Sequence, residues 1–173
     1  MVIDIRFNEG GHAAAAMIDL LRRHPLAYRA QRWGTALPYP AMAGTPKLAL
    51  LCNEYTGSEG EVLARLFSIH RLGSVVGRQT LGGAIGIRPR SALVDTTIAT
   101  QPEYPFVFPH GHDGLENHGH APDVVADNTP NDHRRGFDRQ LAQALMLLGS
   151  PHILDPPSHS AHRQIPRSAI DHH

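Results

Sequence analysis

The run Leu48-Ala49-Leu50-Leu51-Cys52 contains no polar side chain, and the short polar stretch Asn53 to Glu61 joins it to an amphipathic run that begins at Val62. A continuous apolar run of this length, bounded by turn residues, reads as a strand over Lys47–Cys52. The next segment carries Val62, Leu66 and Ile69 on one stripe, widened by Leu63 and Phe67, and reads as a helix over Ser58–His70. Strand, short loop and helix in this order put Ser58 at the first turn of the helix. There the unpaired backbone N–H groups and the positive end of the helix dipole favour an oxyanion. Ser58 is then either a nucleophile or the N-cap of a Ser-x-x-Glu capping box completed by Glu61, which requires no chemistry.

The same order of elements recurs at the start of the chain. Val2-Ile3-Asp4-Ile5-Arg6-Phe7 is an apolar, β-branched run of the kind found in buried parallel strands. Asn8-Glu9-Gly10-Gly11 makes a turn, and Ala13–Arg23 places Met17, Leu20 and Leu21 on one helical face until Pro25 ends it. The paired glycines serve tight-turn geometry, or they let an anion approach a backbone N–H where no Cβ intervenes. A chain that starts inside a sheet is expected to be the C-terminal portion of something longer.

Residues 26–46, rich in proline and carrying Tyr28, Arg29, Trp33 and Tyr39, read as a surface excursion and as the first candidate for a subunit contact. Gly73–Gly77 reads as a strand, Gln79–Pro89 as a glycine-rich loop, Leu93–Ala99 as a weakly alternating strand and Pro102–Asp123 as a polar loop. A last helix is expected over Phe137–Leu148, and residues 150–173 as a disordered tail. Sixteen basic residues balance sixteen acidic ones, so no net field draws the chain to nucleic acid or an anionic membrane. Neither a membrane-spanning run nor a secretory signal is found, which places the chain in the cytoplasm. The single Cys52 reads as a small buried hydrophobe. His110-x-His112 and His118-x-His120 would bring four imidazoles to a transition metal if they lay on adjacent strands, but the region reads equally as a loop.

Several segments together resemble the tail-specific proteases, peptidase family S41, and within it the tricorn branch. They are Ile3 to Asn8 with Gly10-Gly11, Asn53-Glu54-Tyr55 leading to Gly57-Ser58-Glu59-Gly60, Gly77 to Gly83 with Gly86-Ile87, Thr100 to Glu103, and Glu116-Asn117-His118-Gly119 with Pro122-Asp123. The resemblance implies an α/β fold, the crotonase-like or Clp-protease-like β/α superhelix, truncated at its N-terminus, with residues 1–149 as the C-terminal catalytic core. It implies a serine-type peptidase acting through an acyl-enzyme, with Ser58 as nucleophile, Glu116 as the glutamate of the catalytic tetrad, and the Gly11 and Glu59 N–H groups as the oxyanion hole. No cofactor or metal is implied; the partners are peptide substrates and further copies of the chain in a cytoplasmic homo-oligomer.

Three departures qualify the match. The family's general-base histidine, with an accompanying serine, lies upstream of the catalytic core, and this chain starts downstream of that segment; alone it is expected to be weak or inert. Glu9 replaces the first of three glycines. Arg29 falls where tricorn proteases carry an aspartate, contributed from a neighbouring subunit, that selects basic P1 side chains; an arginine there disfavours Lys and Arg and favours acidic or neutral residues. The competing expectations are a non-catalytic remnant used in binding or assembly, and a histidine-rich metal-binding protein. In the metal reading the ligands are the four imidazoles above. A further variant has His118, beside Glu116, standing in for the missing base.

Overall fold

The structure, a computed structural model, describes residues 1–41, 43, 47–109 and 114–149. The first strand β1 (Val2–Asp4) is followed by α1 (Ala14–Leu21), the hairpin of β2 (Ala27–Arg29) and β3 (Leu37–Tyr39), then β4 (Leu48–Cys52), α2 (Glu59–Ile69) and β5 (Gly73–Gly77). A second hairpin, β6 (Gly86–Ala92) and β7 (Ile98–Tyr104), precedes β8 (Val124–Val125), α3 (Pro130–Arg134) and α4 (Arg139–Leu147). The main sheet has the order β1-β4-β5-β8, and every neighbouring pair is parallel. Parallel neighbours require crossover connections, and α1 and α2 supply them for the β1–β4 and β4–β5 pairs.

All five residues of β4 are buried. Because successive strand side chains point to opposite faces, Leu48, Leu50 and Cys52 join a core with Ile18 and Leu21 of α1 and with Leu63 and Phe67 of α2. Ala49 and Leu51 face the other way, where Val76, Ala126 and Ala144 of α4 complete a second core. The sheet is thus covered on both faces, which explains why β4 reads as one unbroken apolar run. Among the described residues no helix is long and apolar enough to cross a membrane.

The hairpins depart from expectation. Part of the excursion over 26–46 pairs as β2–β3, with Tyr28 opposite Pro38. The strand expected over Leu93–Ala99 is instead largely the turn of β6–β7, closed by bonds from Leu93 N–H to the Thr97 carbonyl (2.8 Å) and from Thr96 N–H to the Leu93 carbonyl (3.0 Å). Its strands run into both segments read as loops. Nearly every residue of β6 and β7 is exposed, so neither face leaves a hydrophobic alternation to read. The pairing is supported instead by Arg88 and Arg90 against Glu103 (3.3 and 3.0 Å) and by the Tyr104 ring, which lies where a Cβ on Gly86 would stand. Helix α3 was not expected; a reciprocal capping box between Thr129 and Asp132 and Pro130 in the first turn start it. The expected tail, residues 150–173, lies outside the described residues, as do His110 and His112.

Candidate active site

Strands β1 and β4 are parallel neighbours, so the turns that follow them leave the sheet at the same edge. Asn53 organises the junction: its side-chain oxygen accepts from Phe7 N–H (3.0 Å) and Tyr55 N–H (3.2 Å), while Thr56 Oγ1 donates to the Ile5 carbonyl (3.0 Å). The Gly57 N–H then bonds the Asn8 carbonyl at 2.9 Å. These bonds bring the glycine turn against the start of α2.

Ser58 stands there with φ 50° and ψ −125°, a conformation that non-glycine residues rarely adopt. Its N–H is held by the Gly83 carbonyl at 3.0 Å, and its carbonyl accepts from Glu61 N–H at 3.0 Å. Gly10, at φ 120°, packs on it so closely that a Cβ would lie 2.6 Å from Ser58 Cβ and 2.9 Å from Oγ. Among the described residues neither Gly11 N–H nor Glu59 N–H has a hydrogen-bond acceptor. Two unpartnered N–H groups on the two segments that meet at a serine can receive an oxyanion. The Glu59 carboxylate reaches across to the Ala14 N–H at 3.4 Å, serving α1, whose own N-cap Ala13 has no side chain for the purpose.

The capping-box reading of Ser58 and Glu61 is overturned. Ser58 makes no side-chain cap bond. Glu61 is wholly buried and turns sideways, accepting from Thr80 Oγ1 (2.5 Å), Gly82 N–H (2.7 Å) and Gly83 N–H (2.8 Å). A Ser-x-x-Glu spacing is the same whichever way the carboxylate points, so the sequence did not reveal Glu61, Thr80 or the Gly82-Gly83 turn as parts of one network.

Glu116 accepts from Ala84 N–H at 2.9 Å and Ile85 N–H at 2.8 Å, which docks it on the loop that also holds Ser58 N–H. Its neighbour Asn117 donates its N–H to the Gly82 carbonyl at 2.7 Å. His118 turns its Nδ1 to the Glu116 carbonyl (2.8 Å), and Gln79 donates to the His118 carbonyl. His120 is buried with Nε2 against Ser68 Oγ (3.0 Å); burial, aided by Arg65 and opposed by Asp123, lowers its pKa to about 4. The two histidines thus face different partners, and neither bonds Ser58. Arg29 lies on the exposed β2–β3 hairpin, its guanidinium 5.7 Å from the centre of the Tyr39 ring. Burial, and secondarily Asp123, pushes the Cys52 thiol up to about 12, as befits a core residue.

A cleft of about 630 Å³ opens along the same sheet edge, lined by Arg6, Phe7, Tyr55, Arg78, Phe137 and Asp138 among others. Phe7 and Tyr55 stack there with ring centres 5.4 Å apart.

Residues 1–126 match the model of Peptidase family S41. The chain is 37% identical over 148 residues to the tricorn protease of Thermoplasma acidophilum, an alignment that covers 86% of this chain and 14% of that protein. A Sulfurisphaera tokodaii protein provisionally named Tricorn-like protease C-terminal subunit is 35% identical over 150 residues, covering 85% of this chain and 17% of that one. The crystal structure of the tricorn protease superposes with a TM-score of 0.78 at 36% identity, over 87% of this chain and 15% of that one. The chain therefore spans less than a fifth of the length of these relatives, and across that span it has their α/β fold with a parallel sheet.

Proposed function

The chain belongs to peptidase family S41, and from that premise we propose that it carries the nucleophile of a serine-type peptidase. Ser58 Oγ attacks the carbonyl carbon of a peptide bond and gives its proton to a base; the oxygen of the tetrahedral intermediate, now negative, is received by the N–H groups of Gly11 and Glu59. Collapse breaks the C–N bond, the amine takes the proton and leaves, and water resolves the acyl-enzyme by the same route. The observation that carries this reading is the conformation of Ser58 at the head of α2, beneath the Gly10-Gly11 turn and between two N–H groups that have no acceptor among the described residues.

A serine is a poor nucleophile near neutral pH without a base. Among the described residues Ser58 Oγ has no histidine bonded to it. We assign the base to a histidine on a segment that precedes this region in the family, joined to it in one chain or supplied by a second one. Glu116 fills the place of the tetrad glutamate. The substrates are peptides, the working form is a homo-oligomer in the cytoplasm, and the chemistry needs no cofactor. Arg29 acts across a subunit boundary and disfavours basic P1 residues.

Hydrolysis of short peptides tests the reading. The chain supplied with the histidine-bearing segment of a tricorn-type relative is expected to turn over peptide and to lose that turnover in Ser58→Ala; equal turnover by the variant would overturn it.

A further inference from the structure

We infer that Glu61 is a positioning residue for this site, one that fixes the nucleophile's backbone and Glu116 to a single loop; the inference rests on Ser58 being the nucleophile. A carboxylate taken wholly out of water persists only when its oxygens are met by donors. Here Oε2 receives Thr80 Oγ1 and Gly82 N–H, and Oε1 receives Gly83 N–H. Those three bonds dock residues 80–83 on the first turn of α2. The loop so placed supplies the Gly83 carbonyl to Ser58 N–H and the Ala84 and Ile85 N–H groups to Glu116.

The loop is itself locked to the turn that bears Glu116. Thr80 Oγ1 accepts from His120 N–H at 2.7 Å, and Thr80 N–H donates to the His120 carbonyl at 3.1 Å. A Cβ on Gly119 would stand 2.3 Å from the Thr80 carbonyl oxygen, so the two backbones touch. One carboxylate therefore sets two parts of the site that are more than fifty residues apart in sequence, Ser58 and Glu116.

Glutamine has the shape of glutamate but a single acceptor. With its oxygen toward Thr80 and Gly82, the amide of Glu61→Gln presents N–H groups to the Gly83 N–H and drives it away, which loosens the carbonyl that holds Ser58. Thr80→Val removes one of the three donors at nearly constant volume, together with the acceptor of the His120 N–H. Two readouts separate positioning from bulk stability: the saturation kinetics of fluorophosphonate labelling, and residue-resolved amide exchange. In Glu61→Gln the maximal labelling rate is expected to fall about 10²-fold with the half-saturating probe concentration unchanged. Exchange at Ser58, Ala84 and Ile85 should quicken while Leu48–Cys52 stays protected, and Thr80→Val should show the same pattern more weakly. Unchanged rates and exchange would overturn the inference, as would faster exchange spread evenly into Leu48–Cys52. If Glu61→Gln does not fold, Thr80→Val decides by the same criteria. A folded wild type that takes no label in the presence of the family's histidine-bearing segment counts against Ser58 as nucleophile; the exchange comparison then still supports or overturns Glu61.

Discussion

Gly10 and Gly11 differ in what one added carbon would do. Both have φ values that L side chains rarely adopt, 120° and 138°, so alanine at either costs about 1–3 kcal/mol in backbone strain. At Gly10 the new Cβ also collides with Ser58, whereas at Gly11 it meets nothing within 4 Å. Urea unfolding and labelling of Ser58 are expected to show Gly10→Ala as the more damaging, with labelling slowed at least ~10-fold; equal effects would mean the glycine turn does not press on the serine. His120 makes a second prediction at this scale. Its pKa, lowered to about 4 from an ordinary 6.5, means that between these values the unfolded chain takes up a proton that the folded one refuses. Stability is expected to decline as pH falls through that window, by roughly 3 kcal/mol, and this contribution should level off below it. A His120→Gln variant compared at pH 7, 5.5 and 4 should lose that part of the slope; parallel profiles would contradict it. The glycine turn and the helix start at Ser58 were legible because turn and helix-start chemistry is local, but the local sequence favoured a cap for Ser58, and the structure shows none. Glu61 was not, since its partners Thr80, Gly82 and Gly83 lie about twenty residues away.

Elements packed into the two cores were the easiest to read. Strand β4 and helices α2 and α4 were expected within a few residues, because a covered strand is uniformly apolar and a packed helix repeats its stripe. The hairpins escaped because pairing there is not written in burial: all three residues of β2 are exposed, and so is most of β6 and β7. Yet the β2–β3 hairpin carries the proposed determinant of specificity. Among the described residues Arg29 forms no ion pair and its guanidinium lies over the Tyr39 ring, leaving its charge available to a substrate carboxylate. A P1 peptide panel on the assembled peptidase is expected to favour acidic or neutral residues over Lys and Arg, and Arg29→Asp to reverse that order. If Lys or Arg is already the best P1 residue in the unaltered chain, Arg29 has no such role.

Across the whole molecule, the candidate site forms because two strand–turn–helix units, offset by 47 residues in the register of their strands, place β1 and β4 side by side in parallel. Their turns then meet at the carboxyl edge of the sheet, where open α/β folds commonly bind ligands. That meeting was legible only through the family resemblance, since nothing local in either unit says that they are neighbours. The most direct measurement is fluorophosphonate labelling of the chain, alone and mixed with the histidine-bearing segment of a tricorn-type relative, with the modified peptide located by mass spectrometry. Label on Ser58 in the mixture, absent from Ser58→Ala, is the result predicted. A folded mixture that takes no label, or takes it equally in Ser58→Ala, would contradict Ser58 as the nucleophile.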